Sequence, residues 1–217
     1  MNKGIYIAIE GIDGAGKSTY LSDIKKTLNG KHFLFVQEPA GKNSPKICKD
    51  IQNIIYDNPD LTKEQLLMLF TIQRISLYNK VILPALEDGK VVISDRSIYS
   101  MLAYNVDGKD YVDYIFNCQE ELNKLYRACP DFRLPELVLL NPTDELRNKH
   151  MNKRGKTNWL DDSNTNHIKE NYKFLSWYFR DKTSIIDYDN DEDGYNKLYK
   201  NILNKLEWLK WKILWLI

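Results

Sequence analysis

The chain has 217 residues, 43% hydrophobic and 28% charged, with 31 Lys+Arg against 30 Asp+Glu. That length carries one domain with a core of its own, and the proportions exclude collagen-like, disulfide-stapled and mostly disordered chains. A net charge of +1 gives no global basic excess for nonspecific nucleic-acid binding. Three cysteines cannot all pair within the chain, and three histidines form no cluster, so a zinc site is not expected. Cysteine usage fits a reducing, cytoplasmic setting. The first residues lack the long apolar region of a secretory signal, and no apolar run is expected to span a bilayer.

Gly4–Glu10 reads as a short buried strand. A glycine-rich turn leads into a helix over Lys17–Leu28, punctuated by Gly30. His32–Val36 is the next strand, and Gln37–Pro45 is a loop carrying two prolines and a glycine. Helices follow over Ile47–Tyr56 and Lys63–Leu83. The second opens on a capping box, Thr62 with Gln65, and kinks or ends at Pro84. Val91–Ser94 is a strand running straight into Asp95-Arg96. Helices over Ser97–Tyr104 and Tyr111–Cys129, a strand over Leu137–Leu140 and a helix over Asp144–Lys153 come next. Gly155–Asn166 is polar. Ile168–Arg180 is helical, Ser184–Tyr188 is a strand, Asp189–Gly194 is a solvated turn, and a last helix runs from Tyr195 to Ile217. Its end, Trp208–Ile217, is unusually apolar and is expected to dock on the domain or a second subunit. Apolar strands alternating with helices predict an α/β domain with a parallel sheet covered on both faces. No repeat or linker divides it.

The strongest motif is Gly11–Ser18, which satisfies G-x-x-x-x-G-K-[ST] between a strand and a helix. Glycines let backbone N–H groups curl around a β-phosphate, and the helix N-terminus adds its positive dipole end. Lys17 neutralises phosphate oxygens, and Ser18 offers a hydroxyl to Mg²⁺. The predicted ATP-binding set is Gly11, Asp13, Gly14, Ala15, Gly16, Lys17, Ser18 and Thr19. This motif alone says that a nucleoside triphosphate binds, not what is phosphorylated.

Five blocks together add a resemblance. Ile7–Thr19 is similar to the opening EG-x-D-G-x-GKST of the thymidylate kinases. Gln37–Gly41 resembles their REPGG loop. Leu69-Phe70-x-x-x-Arg74 with Ile82–Gly89 resembles LF-x-A-x-R … I-x-PAL-x-x-G. Asp95-Arg96-Ser97-x-x-Ser100-x-x-Ala103-Tyr104 resembles DRY-x-x-S-x-x-AY, and Lys153-Arg154-Gly155 matches the start of a mobile LID. The resemblance covers about residues 4–190. It implies a P-loop NTPase fold with a five-stranded parallel sheet, a homodimer, ATP and Mg²⁺, and transfer of the ATP γ-phosphate to dTMP. Lys17, Asp95, Arg96 and Arg154 would be catalytic, and Ser18 and Asp95 would meet the metal. Asp13, Glu38, Lys49, Phe70, Arg74, Arg96, Ser100, Met101 and Tyr104 would form the monophosphate site. Phe70 would stack on the base, Arg74 would bond a base carbonyl, and Tyr104 would pack beneath the deoxyribose. The LID would span about 150–166 within a single domain, 1–217, that binds neither nucleic acid nor membrane.

Several positions depart from the pattern. Gln37 stands for an arginine, Ser97 for the tyrosine of DRY, Asn105 for a glutamine, and Met101 for a polar residue at the pyrimidine edge. His150 and Trp159 stand where arginines are common, and Ala15 leaves the P-loop without an arginine, so LID charge falls to Lys153, Arg154 and Lys156. A kinase for another deoxynucleotide or a nucleoside, and a nucleotide-binding protein without transfer activity, are the alternatives.

Overall fold

The computed structural model describes residues 4–28, 30–154 and 165–214. Five strands form one sheet: β1 (Ile5–Glu10), β2 (Phe33–Gln37), β3 (Val91–Asp95), β4 (Glu136–Pro142) and β5 (Thr183–Tyr188). Their order is β2-β3-β1-β4-β5, with every pair parallel. The predicted parallel α/β architecture is therefore present. The helices are α1 (Lys17–Thr27), α2 (Lys46–Asp57), α3 (Lys63–Leu77), α4 (Leu83–Glu87), α5 (Ile98–Asn105), α6 (Tyr111–Ala128), α7 (Asp144–Arg154), α8 (Thr165–Tyr178) and α9 (Asp191–Leu214).

Strand alternation builds two cores. Tyr6, Val92, Leu137 and Leu139 face a layer made by α3, α5, α6 and α8, which supplies Leu77, Leu102, Leu122 and Tyr172. Ile7, Ile9, Ile93, Val138 and Leu140 face the other layer, where α1 supplies Tyr20 and Ile24 and α9 supplies Leu198 and Ile202. Burial on both faces explains why these strands are continuous apolar runs in the sequence.

The register places the site. Ile9 of β1 pairs with Asp95 of β3, and Gln37 of β2 pairs with the same Asp95. The turn after β1, the Asp95-Arg96 pair and the Glu38 loop therefore leave one edge of the sheet together. That edge, at the carboxyl ends of parallel strands, is where open α/β sheets bind ligands.

Three readings of the sequence need correction. The helix begun at the Thr62–Gln65 capping box, present as predicted, does not stop near Leu83. It passes through a π-helical turn, Tyr78–Ile82, and continues to Glu87. Pro84 comes just after that π-helical turn. The whole run, Lys63–Glu87, is long and apolar enough by length and composition to cross a membrane, contrary to expectation. Its Leu66, Leu77, Tyr78, Ile82 and Leu86 are nonetheless buried in the domain. Lastly, Asp191–Gly194 is not a turn but the first turn of α9, where three acidic residues suit the positive dipole end. Of the expected LID, residues up to Arg154 and from Thr165 are helical. Lys156, Trp159 and the rest of 155–164 lie outside the described residues, as do the side chains of Arg154 and the tryptophan-rich end of α9.

Candidate active site

The chain leaves β1 and turns through Gly11–Gly16 into α1. Gly14 and Gly16 adopt left-handed backbone, φ +85° and +71°, a region that disfavours a Cβ. At Gly16 a Cβ would also meet the Tyr20 ring at 2.9 Å. Lys17 is 6% exposed. Its ammonium folds back on the loop and donates to the carbonyls of Gly11 (2.7 Å) and Ile12 (3.0 Å). Burial first, and then the Arg96 guanidinium, pull it down to about 8. The loop is thus a cationic cradle whose lysine makes no ion pair among the described residues.

The next three loop carbonyls have outside donors. Arg147 Nε donates to Asp13 (3.0 Å) and the Tyr188 hydroxyl to Ala15 (2.6 Å). A carbonyl only accepts, so His150 Nδ1, 2.7 Å from the Gly14 oxygen, is the donor there.

Ser18 and Asp95, both expected near Mg²⁺, lie together, Oγ to Oδ2 at 3.0 Å. Two hard oxygen donors at the mouth of a phosphate loop suit Mg²⁺, which uses one or two protein ligands together with substrate phosphates and water. Arg96 has φ +71°. One arm of its guanidinium pairs with Asp13, the other donates to Ser100 Oγ at 3.0 Å, and its face lies 5.1 Å from the Tyr104 ring centroid. Ser100 is held from beneath by Glu10, a fully buried carboxylate. Glu10 accepts from the hydroxyls of Ser97 (2.7 Å), Ser100 (2.6 Å) and Tyr172 (2.8 Å). Burial, then Glu10, pushes the Tyr172 phenol well up, so it remains a donor.

Around the expected base pocket, Glu38 is buried and accepts from the Tyr6 hydroxyl and from Arg74 Nε at 2.7 Å. Burial pushes the Glu38 carboxyl up, against the downward pull of Arg74 and Tyr6. Arg74 also donates to the Ser97 carbonyl (3.0 Å) and to the Met101 sulfur (3.3 Å). Met101 is buried and fills the place of a polar group with a weak acceptor. Phe70 is half-buried against the core, and Tyr104 makes an edge contact with Tyr172. Lys49 does not join this group. It is exposed on α2, between the buried Cys48 and the exposed Asp50.

A cavity of about 910 Å³ lies over the loop. Asp13–Tyr20, including Thr19, form its floor, and Gln37, Asp95 and Arg96 form one end. His150, Lys153, Asp191, Glu192 and Tyr195 close the other. Sequence reasoning did not single out Glu10, Arg147, Tyr172, Tyr188 or Asp191. Glu10 had one signal, a carboxylate ending an otherwise apolar strand. Asp191 had the acidic run read as a turn. Arg147, Tyr172 and Tyr188 reach their partners across more than a hundred residues, and no local pattern marks that.

A sequence profile of the family described as thymidylate kinase matches residues 9–194. A thymidylate kinase of Neorickettsia sennetsu is 37% identical over 138 residues, 63% of this chain and 64% of that protein. One from Lactobacillus helveticus is 36% identical over 113 residues, 50% of this chain and 52% of that protein. The matched stretches therefore span about half to two-thirds of these curated relatives. The crystal structure of a thymidylate kinase from Ehrlichia chaffeensis shares the fold, with a TM-score of 0.66 over 94% of this chain and 99% of that one, at 18% identity. Since the profile runs from β1 into the first turn of α9, taking in the P-loop and the Asp95-Arg96 pair, the chain belongs to the thymidylate kinase family.

Proposed function

We propose that this protein transfers the γ-phosphate of ATP to dTMP, giving dTDP and ADP. The observation that carries the reading is the position of Arg96. Its guanidinium pairs with Asp13 of the P-loop while lying over Tyr104 of the expected acceptor pocket. One cation therefore touches both halves of the site. Phosphoryl transfer asks the protein for positioning and for positive charge around a transition state that spreads negative charge over oxygens.

In the reaction, an oxygen of the dTMP phosphate forms the new bond to the γ-phosphorus. The bond from that phosphorus to the β–γ bridging oxygen breaks, and its electron pair leaves on ADP. Lys17 swings from the Gly11 and Ile12 carbonyls to the donor phosphates. Arg96 bridges donor and acceptor phosphates, and Arg154 of the LID is its expected companion. Asp13 meets the dTMP sugar or organises water near the metal. Ser100, fixed by Glu10, keeps Arg96 in place. Ser18 and Asp95 would hold Mg²⁺, which neutralises phosphate charge when bound. Phe70 stacks on the pyrimidine, Arg74 directs an unused N–H at its carbonyl beside Glu38 and Met101, and Tyr104 crowds a ribose 2′-hydroxyl.

The single domain works as a homodimer in a cytoplasmic setting. Exposed Met68 and Ile72 on α3, with Val112 and Phe116 on α6, give a subunit contact apolar material. The three cysteines are free and buried, which fits a reducing compartment.

The test is Mg²⁺-dependent ADP release with dTMP, dUMP, dCMP, dGMP, UMP and thymidine in turn. Fastest turnover with dTMP is expected. A clear preference for another acceptor would move the base assignment. ATP binding with no turnover on any acceptor would refute the kinase reading.

A further inference from the structure

A phosphate loop works only if its backbone N–H groups face the anion. In a planar trans peptide the carbonyl of one residue and the N–H of the next point in opposite directions. Holding the carbonyls of Asp13, Gly14 and Ala15 on outside donors therefore turns the N–H groups of Gly14, Ala15 and Gly16 towards the inside of the loop, where that of Ala15 donates to the Ile12 carbonyl at 3.1 Å beside the Lys17 ammonium. Each of those three carbonyls has one side-chain donor: Arg147 at 3.0 Å, His150 at 2.7 Å and Tyr188 at 2.6 Å. Two of the donors are one helical turn apart on α7, and the third ends β5.

We propose that Arg147, His150 and Tyr188 are positioning residues for the donor nucleotide. They pin the carbonyl side of the P-loop so that its N–H side is preorganised for phosphate. The inference rests on the reading that this loop binds ATP. A second observation supports it independently of the hydrogen bonds. A Cβ at Gly14 would sit 2.9 Å from Met151 Cγ and 3.0 Å from Arg147 Cγ, so α7 lies directly against the loop. His150 is itself held from the far side. Its Nε2 lies 2.9 Å from Asp191 Oδ1, which also accepts from the Tyr20 hydroxyl at 2.9 Å. Both ring nitrogens face oxygens, and each bond fixes the ring for the other.

The arrangement has a mechanical consequence. α7 ends in Lys153 and Arg154, so the element that fixes the phosphate loop also leads into the LID. Lys17 leaves its own two carbonyls when phosphates arrive. Arg147, His150 and Tyr188 hydrogen-bond only carbonyl oxygens of the loop, not its phosphate-binding N–H groups, and are free to stay. The cradle then keeps its shape while its lysine moves.

The test is calorimetric titration of the full chain with ATP, paired with steady-state kinetics for ATP and dTMP separately. Tyr188→Phe removes one hydroxyl and keeps the ring. Arg147→Met removes the donor and keeps much of the stem that packs on Gly14. His150→Ala removes both ring contacts. Each is expected to weaken ATP binding by about 3- to 10-fold, the equivalent of one lost hydrogen bond, with the KM for dTMP held within about twofold. Arg147→Lys, which keeps a donor, should recover part of the Arg147→Met loss. Thermal melts show whether each variant is folded, and a folded Tyr188→Phe or Arg147→Met alone suffices. Unchanged ATP affinity in the folded variants, or equal rises in KM for both substrates, overturns the inference. A wild-type protein that binds no ATP overturns the functional reading beneath it instead.

Discussion

Lys17 makes ATP binding a proton-linked event, and the size of the linkage follows from the geometry. Burial and the Arg96 guanidinium pull the ammonium down to about 8. Bound polyphosphate supplies the anionic partner it lacks and returns it towards the ordinary lysine value of about 10.4. That recovery is worth about 3 kcal/mol, since each pKa unit is about 1.4 kcal/mol. At pH 9 the free enzyme holds the Lys17 proton in about one molecule in ten and the complex in nearly all, so binding takes up about 0.9 proton. Near pH 6.5 Lys17 is charged in both states and contributes nothing. The assay is calorimetry of ATP binding at both values, each in two buffers of different ionisation enthalpy. The two thiols nearest this window, Cys48 and Cys129, are themselves pushed up by burial, so they do not mimic the signal. The same shift has a sign for stability. The folded value is depressed, so between about 8 and 10.4 the unfolded chain binds a proton the folded chain has released, and stability rises with pH across that window. Lys17→Met should therefore melt higher than wild type at pH 7, with the gain shrinking above pH 8. No proton uptake at pH 9, or the same uptake in Lys17→Met, would refute the reasoning.

Other consequences follow from single contacts. Gly14→Ala forces a Cβ onto backbone at φ +85° and against Met151. At least a tenfold loss of ATP affinity is expected by calorimetry, an effect of about 1.4 kcal/mol or more. Glu38→Ala leaves the Arg74 guanidinium buried without its carboxylate. Chemical denaturation should show a loss of about 3–5 kcal/mol, and Glu38→Gln should lose less. Phe116→Asp puts a charge on the exposed apolar face of α3 and α6, where Phe116 is 64% exposed. If this face carries the proposed dimer contact, sedimentation velocity should show the variant shifted towards monomer relative to wild type, and an unchanged distribution would refute that contact.

Much of the framework was legible because it obeys local rules. Apolar runs bounded by glycine and proline marked the strands, the Thr62–Gln65 box marked the start of α3, and Gly11–Ser18 marked the phosphate loop in its strand-to-helix setting. Ser18 and Asp95, both expected near the metal, lie together because each ends or begins an element at the same sheet edge. Pro84 did not end the helix, because a π-helical turn, Tyr78–Ile82, comes just before it and the run goes on to Glu87. Lys49 stands apart because a helix turns each successive residue by about 100°, and the inward face of α2 there goes to Cys48, which packs into the core. The supports of the loop left no trace in the sequence. A donor to a backbone carbonyl has no motif, and Arg147, His150 and Tyr188 come to the loop only when α7 and β5 have taken their places.

The central claim is that Arg96 joins a donor site on the P-loop to a pyrimidine monophosphate site. It is tested most directly by mixing the protein with γ-labelled ATP, Mg²⁺ and dTMP in a single turnover and identifying the labelled product, beside Arg96→Met. In the wild type the label is expected to appear as dTDP. In the variant the rate should fall at least about a hundredfold, as expected for a cation lost from the transition state, while ATP still binds. Label released as inorganic phosphate, or equal rates in the two proteins, would contradict it.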